Sequence, residues 1–307
     1  MESFCSVKLL FPSFSELRYN SYKKKQSMFK EKNVVIQLDT KTVYSFMDSL
    51  IPIKKYVQKA KELGYSHLGM MDVDNLYGAY HFLEEAESAG LQPLLGLELS
   101  LIKAEQELHL RLLALDSQGY RNLMKVSTLK MMGQKNWEDF QHLFKGLAVI
   151  VPAFDGVADL DLGLDFYVGV FPATPKQEFG RPTLPLHTVR YFDTGDLETL
   201  QMLRAIRENA SLREIGSLPN HEFLLAPDAL AGAFKETFPE SLANLEKLVR
   251  HVHYDINREL KLPRFNRERP AVEELRERSE AGLKKRGLTG KLYQERLDQE
   301  LAVIHQM

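Results

Sequence analysis

Cysteine and tryptophan are nearly absent: the chain of 307 residues has one of each, Cys5 and Trp137. A single cysteine excludes an internal disulfide and any multi-cysteine zinc site. No apolar run approaches the ~20 residues a membrane-crossing helix needs. The N-terminus lacks the continuous apolar segment and small-residue cleavage site of a secretory signal. Walker, dinucleotide-binding Gly-x-Gly-x-x-Gly and Gly-x-Ser-x-Gly patterns are missing too, which removes the common phosphate-loop and nucleophile-elbow chemistries. Histidine is sparse, with nine in all and none before His67. These absences leave a reducing compartment, the cytoplasm, as the expected location, with no membrane partner.

What is present is ordinary in amount and uneven in placement. Hydrophobic residues make up 44% and charged residues 27% of the chain, which suits a globular protein with a full core. The formal net charge of -2 conceals opposing segments. Residues 1–33 hold seven Lys/Arg against three acidic residues, with Lys23, Lys24 and Lys25 adjacent. Residues 258–307 hold twelve basic against nine acidic residues, and the body between holds 21 against 30. An acidic body does not attract a phosphate backbone through its overall field. Residues 1–33 read as a solvated basic leader.

From Val34 the periodicity alternates between strand and helix. Val34–Leu38, His67–Met71 and Pro93–Leu99 are short β-prone runs. Amphipathic stretches at 50–63 and 76–89 separate them, and Gly64 and Gly90 follow as stops. This β-α-β-α-β order with short connections requires parallel pairing with helices outside the sheet. Residues 108–114 read as an antiparallel partner of 99–101. A helix follows at 117–132, capped by Asp116 or Ser117, then a short one at 136–143. Further strands are expected at 147–151, 166–170 and 184–187. Helices are expected at 196–208, capped through Thr194 and Glu198, then at 227–235 and 240–252. Leu260–Phe265 reads as extended, because the residue before Pro263 avoids the α region. Two helices, 270–286 and 290–306, end the chain without a terminating glycine or proline, as a segment of a longer protein would.

Three carboxylates fall at the ends of the first three strands: Asp39, Asp72 and Glu98. Strand ends are where an α/β barrel keeps its chemistry. Weaker signals have plainer readings. His251-Val252-His253 sits at a helix end, and Asp72-Val73-Asp74 lacks the rest of a calcium loop. Gly78 suits close helix–sheet packing, and Lys284-Lys285-Arg286 suits a helix C-terminus.

Tyr44-Ser45-Phe46-Met47-Asp48, Asp72 with Asn75-Leu76-Tyr77-Gly78-Ala79, Gly90 through Glu98, and Gly119-Tyr120-Arg121-Asn122-Leu123-Met124 together resemble the N-terminal PHP (polymerase and histidinol phosphatase) domain of bacterial DNA polymerase III alpha subunits. Weaker resemblance continues through Leu225-Ala226-Pro227 and Tyr254-Asp255-Ile256 to Tyr293–Leu297. The resemblance implies a distorted (β/α)₇ barrel over 34–262, with a helical linkage over 263–307 leading toward a polymerase palm.

Members that keep the metal site carry a His-x-His pair and a further histidine on the first strand, Asp-His on the second, Glu on the third, and later a Ser-Gly-Cys stretch and an Asp-x-His. By resemblance the first set falls on Asp39, Lys41 and Gln37, and the next on Asp72 and Val73, then Glu98. The cysteine stretch falls near Val151-Pro152-Ala153 and the last pair on Thr188 and Arg190. The carboxylates remain, while no imidazole or thiolate does. A polymetal phosphoesterase needs several fixed ligands to hold its ions and activate water, and a protonated lysine cannot ligate. Lys41 is therefore expected to neutralise Asp39 and Asp72. No catalytic residue and no cofactor are expected in this chain, although Asp39, Asp72 and Glu98 are weak candidates for one Mg²⁺.

The resemblance further implies a parent DNA-directed DNA polymerase, a nucleotidyltransferase of DNA replication using Mg²⁺ at palm aspartates outside this chain. Its partners would be the rest of the alpha subunit, other replication proteins, and DNA through the whole protein. Two rivals remain. A stand-alone metal-dependent phosphoesterase would show chelator-sensitive turnover, and a free-standing adaptor would end naturally at Met307.

Overall fold

The computed structural model describes residues 35–256 and 265–306. The leader and most of the 260–265 stretch lie outside the described residues. Two compact units divide the chain, the first ending at Asp255 and the second starting at Ile256.

The first unit is built on one seven-stranded sheet whose spatial order is its chain order. The strands are β1 (Ile36–Gln37), β2 (His67–Val73), β3 (Gln92–Lys103), β4 (Gln106–Ala114), β5 (Leu147–Pro152), β6 (Tyr167–Val170) and β7 (Thr183–Pro185). Pairing is parallel from β1 to β3, antiparallel through β3–β4–β5, and parallel again from β5 to β7. The expected α/β class and C-terminal helices are therefore present, and the two antiparallel joins are what distorts the barrel. The β3–β4 hairpin turns on Ala104 and Glu105, both at positive φ (47° and 66°), the twist a two-residue hairpin demands.

The sheet curls until its ends meet. Thr40, just beyond β1, bridges Val189, just beyond β7. Lys41 N donates to Val189 O at 2.9 Å, and Val189 N donates to Asp39 O at 2.9 Å. On the other side of the same segment, Met71 N donates to Thr40 O at 2.9 Å. The three residues Asp39–Lys41 thus stitch the first strand to both neighbours.

Apolar burial explains why the sequence folds this way. Leu68, Met70, Leu94, Leu95, Leu97, Leu99, Leu110 and Leu112 are fully buried, each contributing about 1.5–3 kcal/mol relative to exposure. The helix Ile53–Glu62 buries Ile53, Tyr56, Val57 and Ala60, and the helix Ala79–Ala89 buries Phe82, Leu83 and Ala86. Tyr56 stacks on Phe82 with ring centroids 6.3 Å apart. Residues 50–52 stay out of the first helix because their backbone serves the barrel: Leu50 N donates to Arg190 O, and Ile51 O accepts from Val43 N.

Capping was placed partly right by the pattern. Asp116 accepts from Gly119 N at the start of Ser117–Met131. Thr194 does not cap its helix. Asp193, in extended conformation, accepts from Gly195 N, a 3₁₀ turn spans Thr194–Asp196, and the α-helix begins at Leu197. The second unit contains the helices Ala271–Lys285 and Lys291–Gln306, linked by an Arg276–Asp298 ion pair at 2.7 Å.

One glycine is fixed by backbone proximity. A Cβ on Gly69, in β2, would lie 1.8 Å from Leu38 O, and neither strand can retreat without breaking the sheet. Overpacking of this kind costs about 1–3 kcal/mol or more. Gly69→Ala is expected to lower stability by at least about 2 kcal/mol in urea unfolding; a change under about 0.5 kcal/mol would contradict the close approach.

Candidate functional site

The parallel register sets Asp72 opposite Leu97 and Val73 opposite Glu98, so the second and third carboxylates arrive at the same end of the sheet. The hairpin then sets Glu98 directly opposite Arg111. Asp39 reaches this end because Val189 and Thr40 hold its segment in line.

Two carboxylates and two cations meet there. Lys41 Nζ is bonded to Asp39 Oδ1 and lies 2.8 Å from Glu98 Oε2. Arg111 lies 3.1 Å from Glu98 Oε2 through Nη2 and 3.4 Å from Asp39 Oδ2 through Nε. Thr188 Oγ1 donates to Asp39 Oδ2 at 2.7 Å. Lys41 and Asp39 are wholly buried, and the Glu98 side chain is 14% exposed. Burial alone would raise the Asp39 carboxyl. The charges of Lys41 and Arg111, helped by hydrogen bonds from Lys41 and Thr188, outweigh it and hold Asp39 well below the ordinary carboxylate range. Glu98 is likewise lowered: burial opposes, and Lys41 and Arg111 prevail.

Asp72 departs from expectation. Lys41 makes its ion pairs with Asp39 and Glu98 instead. Asp72 Oδ1 accepts from Thr42 N and Ser45 Oγ, both at 2.6 Å, and Oδ2 accepts from Thr42 Oγ1 at 2.7 Å. The acid is a staple for the 42–45 loop. Its pKa is raised, because burial outweighs the hydrogen bonds from Ser45 and Thr42 and the charge of Lys41. The difference arises because the Lys41 side chain turns toward β3 and β4, a direction the strand pattern did not reveal.

The other positions divide. Gln37 Nε2 donates to His187 O at 2.8 Å and Asp39 O at 3.2 Å, knitting the seam from below. Val73 contributes a backbone N–H to Ser45 Oγ at 3.2 Å. Arg190 belongs to a second ion cluster: it pairs with Asp48 and, at 3.2 Å through Nε, with Glu222. Arg204 and Arg207 also meet Asp48, at 2.8 and 3.2 Å. His251 Nδ1 faces Lys247 O, whereas His253 Nε2 faces Asp255, so the pair does not converge.

Arg111 is the participant that sequence reasoning missed. A cation alternating with Leu108, Leu110 and Leu112 was visible, and a two-residue turn at Ala104-Glu105 would have placed it opposite Glu98. Thr42, Ser45 and Asp48 were inside a quoted motif or beside it, but nothing in their spacing assigned them partners.

Among the described residues, no group of three or more His, Cys, Asp or Glu side chains is arranged to hold a metal ion. Hydrolytic metal clusters need such sets. Here both oxygens of Asp39 and Oε2 of Glu98 are engaged by protein cations and those of Asp72 by hydroxyl and amide donors. No imidazole or thiolate of the described residues joins them, so the residues present do not fit a polymetal centre.

Residues 37–174 match the family model described as the PHP domain. This stretch is a PHP domain. Over 88% of its length the chain is 45% identical to the DNA polymerase III subunit alpha of Streptococcus pyogenes serotype M1, of which it covers 26%. It is 24% identical to the subunit of the same name from Halalkalibacterium halodurans, over 89% of the chain and 28% of that protein. The chain thus spans about a quarter of the length of the curated relatives it matches. The resemblance carried by the Asn75–Ala79 and Gly90–Glu98 motifs is borne out. Among solved structures, a two-domain protein from Bacteroides vulgatus containing a predicted PHP-like metal-dependent phosphoesterase is 11% identical over 71% of this chain and 63% of that one, with a TM-score of 0.34. No argument rests on so slight a likeness.

The PHP site yields a contrast between its two buried aspartates. Asp39→Asn leaves two cations facing Glu98 alone and is expected to cost about 3–5 kcal/mol, as breaking a buried pair does. Asp72→Asn keeps an acceptor for Thr42 N and Ser45 Oγ, and its amide N–H donates to Thr42 Oγ1 in place of the lost oxygen, so it is expected to cost about 1 kcal/mol. Equal losses in urea unfolding at neutral pH would contradict the assignment.

The pH profile separates them again. Because Asp39 and Glu98 have lowered folded values, their stabilisation is present above the unfolded range near ~4 and is lost as pH falls through the folded values. Raised Asp72 has the opposite sign, its penalty easing as pH falls. Asp39→Asn should therefore flatten the acid limb of stability against pH, and an unchanged limb would count against the cluster.

Proposed function

We propose that this PHP domain serves as the structural and protein-docking region at the N-terminal side of a replicative DNA polymerase alpha subunit, with no hydrolytic chemistry of its own. In this reading the parent protein works in the cytoplasm and adds deoxynucleotides to a DNA 3′ end, using Mg²⁺ held by residues outside this chain. Its partners are the remainder of the alpha subunit, other replication proteins, and DNA reached through the whole protein. The relationship to alpha subunits over most of the chain supports the context.

The observation that carries the non-hydrolytic part is the Asp39–Lys41–Glu98 arrangement with Arg111 beside it. A hydrolytic PHP site must present vacant carboxylate and imidazole lone pairs to two or three ions and a water. Here the strand-end acids bond to one another's counter-charges and to hydroxyls, and the first strand offers no imidazole. What remains is a rigid, charge-balanced barrel end, suited to bracing a larger protein.

The rival reading, a metal-dependent phosphoesterase, draws on the gathering of Asp39 and Glu98 at one barrel end. Incubation of the purified chain with Mn²⁺, Mg²⁺ or Zn²⁺ and either p-nitrophenyl phosphate or a 3′-phosphorylated DNA oligonucleotide separates the two. The expected result is phosphate release no greater than in protein-free buffer. Turnover that rises with Mn²⁺ and disappears in Asp72→Asn would overturn the proposal.

A further inference from the structure

We propose that Lys41 is the residue that denies this cluster a divalent cation: its ammonium stands where a hard cation would meet both Asp39 Oδ1 and Glu98 Oε2. This deepens the non-hydrolytic reading and rests on it only for the expectation that the wild type is metal-free.

The geometry is specific. A single atom, Lys41 Nζ, touches Asp39 Oδ1 and lies 2.8 Å from Glu98 Oε2. Magnesium and calcium bind carboxylate oxygens at ~2.0–2.6 Å, so an ion at the Nζ position would reach both acids with a shift of a few tenths of an ångström in each. The donors there are oxygens only: two carboxylates with Thr188 Oγ1 against Asp39 Oδ2. Such a set favours Mg²⁺, Mn²⁺ or Ca²⁺ over zinc or copper, which prefer nitrogen and sulfur.

Charge decides the competition. Two carboxylates face one ammonium and one guanidinium, so the cluster is neutral as it stands. A divalent ion entering beside Lys41 would leave a surplus of two positive charges in a buried site, where like charges are poorly screened. It could enter only by displacing the ammonium. That ammonium is tethered by its own strand, because Lys41 N and the neighbouring Asp39 O are both bonded to Val189. The lysine is therefore an intramolecular competitor at high effective concentration.

Arg111 cannot play the same part. Its guanidinium lies 3.1 Å from Glu98 Oε2 and 3.4 Å from Asp39 Oδ2. It touches the pair from the β4 side and does not occupy the point between Asp39 Oδ1 and Glu98 Oε2. Neutralising Lys41 removes both the charge and the occupant, whereas neutralising Arg111 removes charge alone.

The test titrates Mn²⁺ into the full chain and reads bound ion by electron paramagnetic resonance, with thermal unfolding followed in parallel. The wild type is expected to show no saturable Mn²⁺ site dependent on Asp39. Lys41→Met is expected to bind Mn²⁺ at least about tenfold more tightly than the wild type, a gain of ~1.4 kcal/mol, and to be stabilised by the ion. Arg111→Met is expected to gain less. Should Lys41→Met fail to fold, Lys41→Gln supplies the same neutral change with hydrogen-bond donors kept. Saturable Mn²⁺ binding by the wild type that Asp39→Asn removes would overturn the inference, as would a Lys41 variant that folds and binds no more ion than the wild type. An equal gain from Arg111→Met would overturn it too, by making bulk charge the cause. A folded, non-binding Lys41 variant leaves the non-hydrolytic reading intact, whereas phosphate release by the wild type contradicts that reading.

Discussion

Burying a carboxylate without a counter-charge costs several kcal/mol, and this barrel buries Asp39 completely at the seam where its sheet closes. The whole end of the barrel is arranged around that constraint. Lys41 comes from two residues along the same strand, Arg111 from β4, and Thr188 from the segment beyond β7. Three parts of the barrel thus converge on one side chain. Counter-charge supplied by the chain itself is what balances these gathered acids.

The seam gains a second tie from the ions farther out. Asp48, in the loop after β1, meets Arg190, Arg204 and Arg207, and Arg190 extends to Glu222. A side chain ties the two sets: the Ser49 hydroxyl lies within hydrogen-bond distance of both Lys41 O (2.7 Å) and Arg190 O (3.0 Å) and shares its one proton between them. Buried pairs of this kind add little net stability over apolar packing, yet breaking one partner is costly. Their effect is to make the closed register the one arrangement in which every charge has a partner. A slip of one residue along β1 would turn Asp39 and Lys41 to the other face.

Much of the fold could be read from the sequence because its signals were local. The alternation of 50–63 and 76–89 with apolar runs gave the first three strands, and the leucine alternation of 108–114 gave the hairpin partner. Asp116 was a recognisable cap. Thr194 misled because Asp193 beside it was equally able to accept from the same turn, and its extended backbone placed the carboxylate over Gly195 N. For the site, strand-end position brought out Asp39, Asp72 and Glu98, and the family motif drew attention to Lys41 and Thr188. The pairing of those residues was not accessible in the same way. Whether Lys41 reaches Asp72 or Glu98 depends on barrel curvature, and whether Arg190 faces Asp39 or Asp48 depends on the loop 42–51 folding back over the seam. Both are long-range facts that spacing along the chain does not encode.

The central claim is that Asp39 stays ionised because protein cations surround it. Carbon-13 NMR of the Asp39 carboxyl carbon across an acid titration tests this directly. The account predicts a chemical shift that stays at its ionised value well below the ordinary aspartate range near ~4, moving only as the protein unfolds. A carboxyl that titrates at or above that range in the folded protein would contradict it.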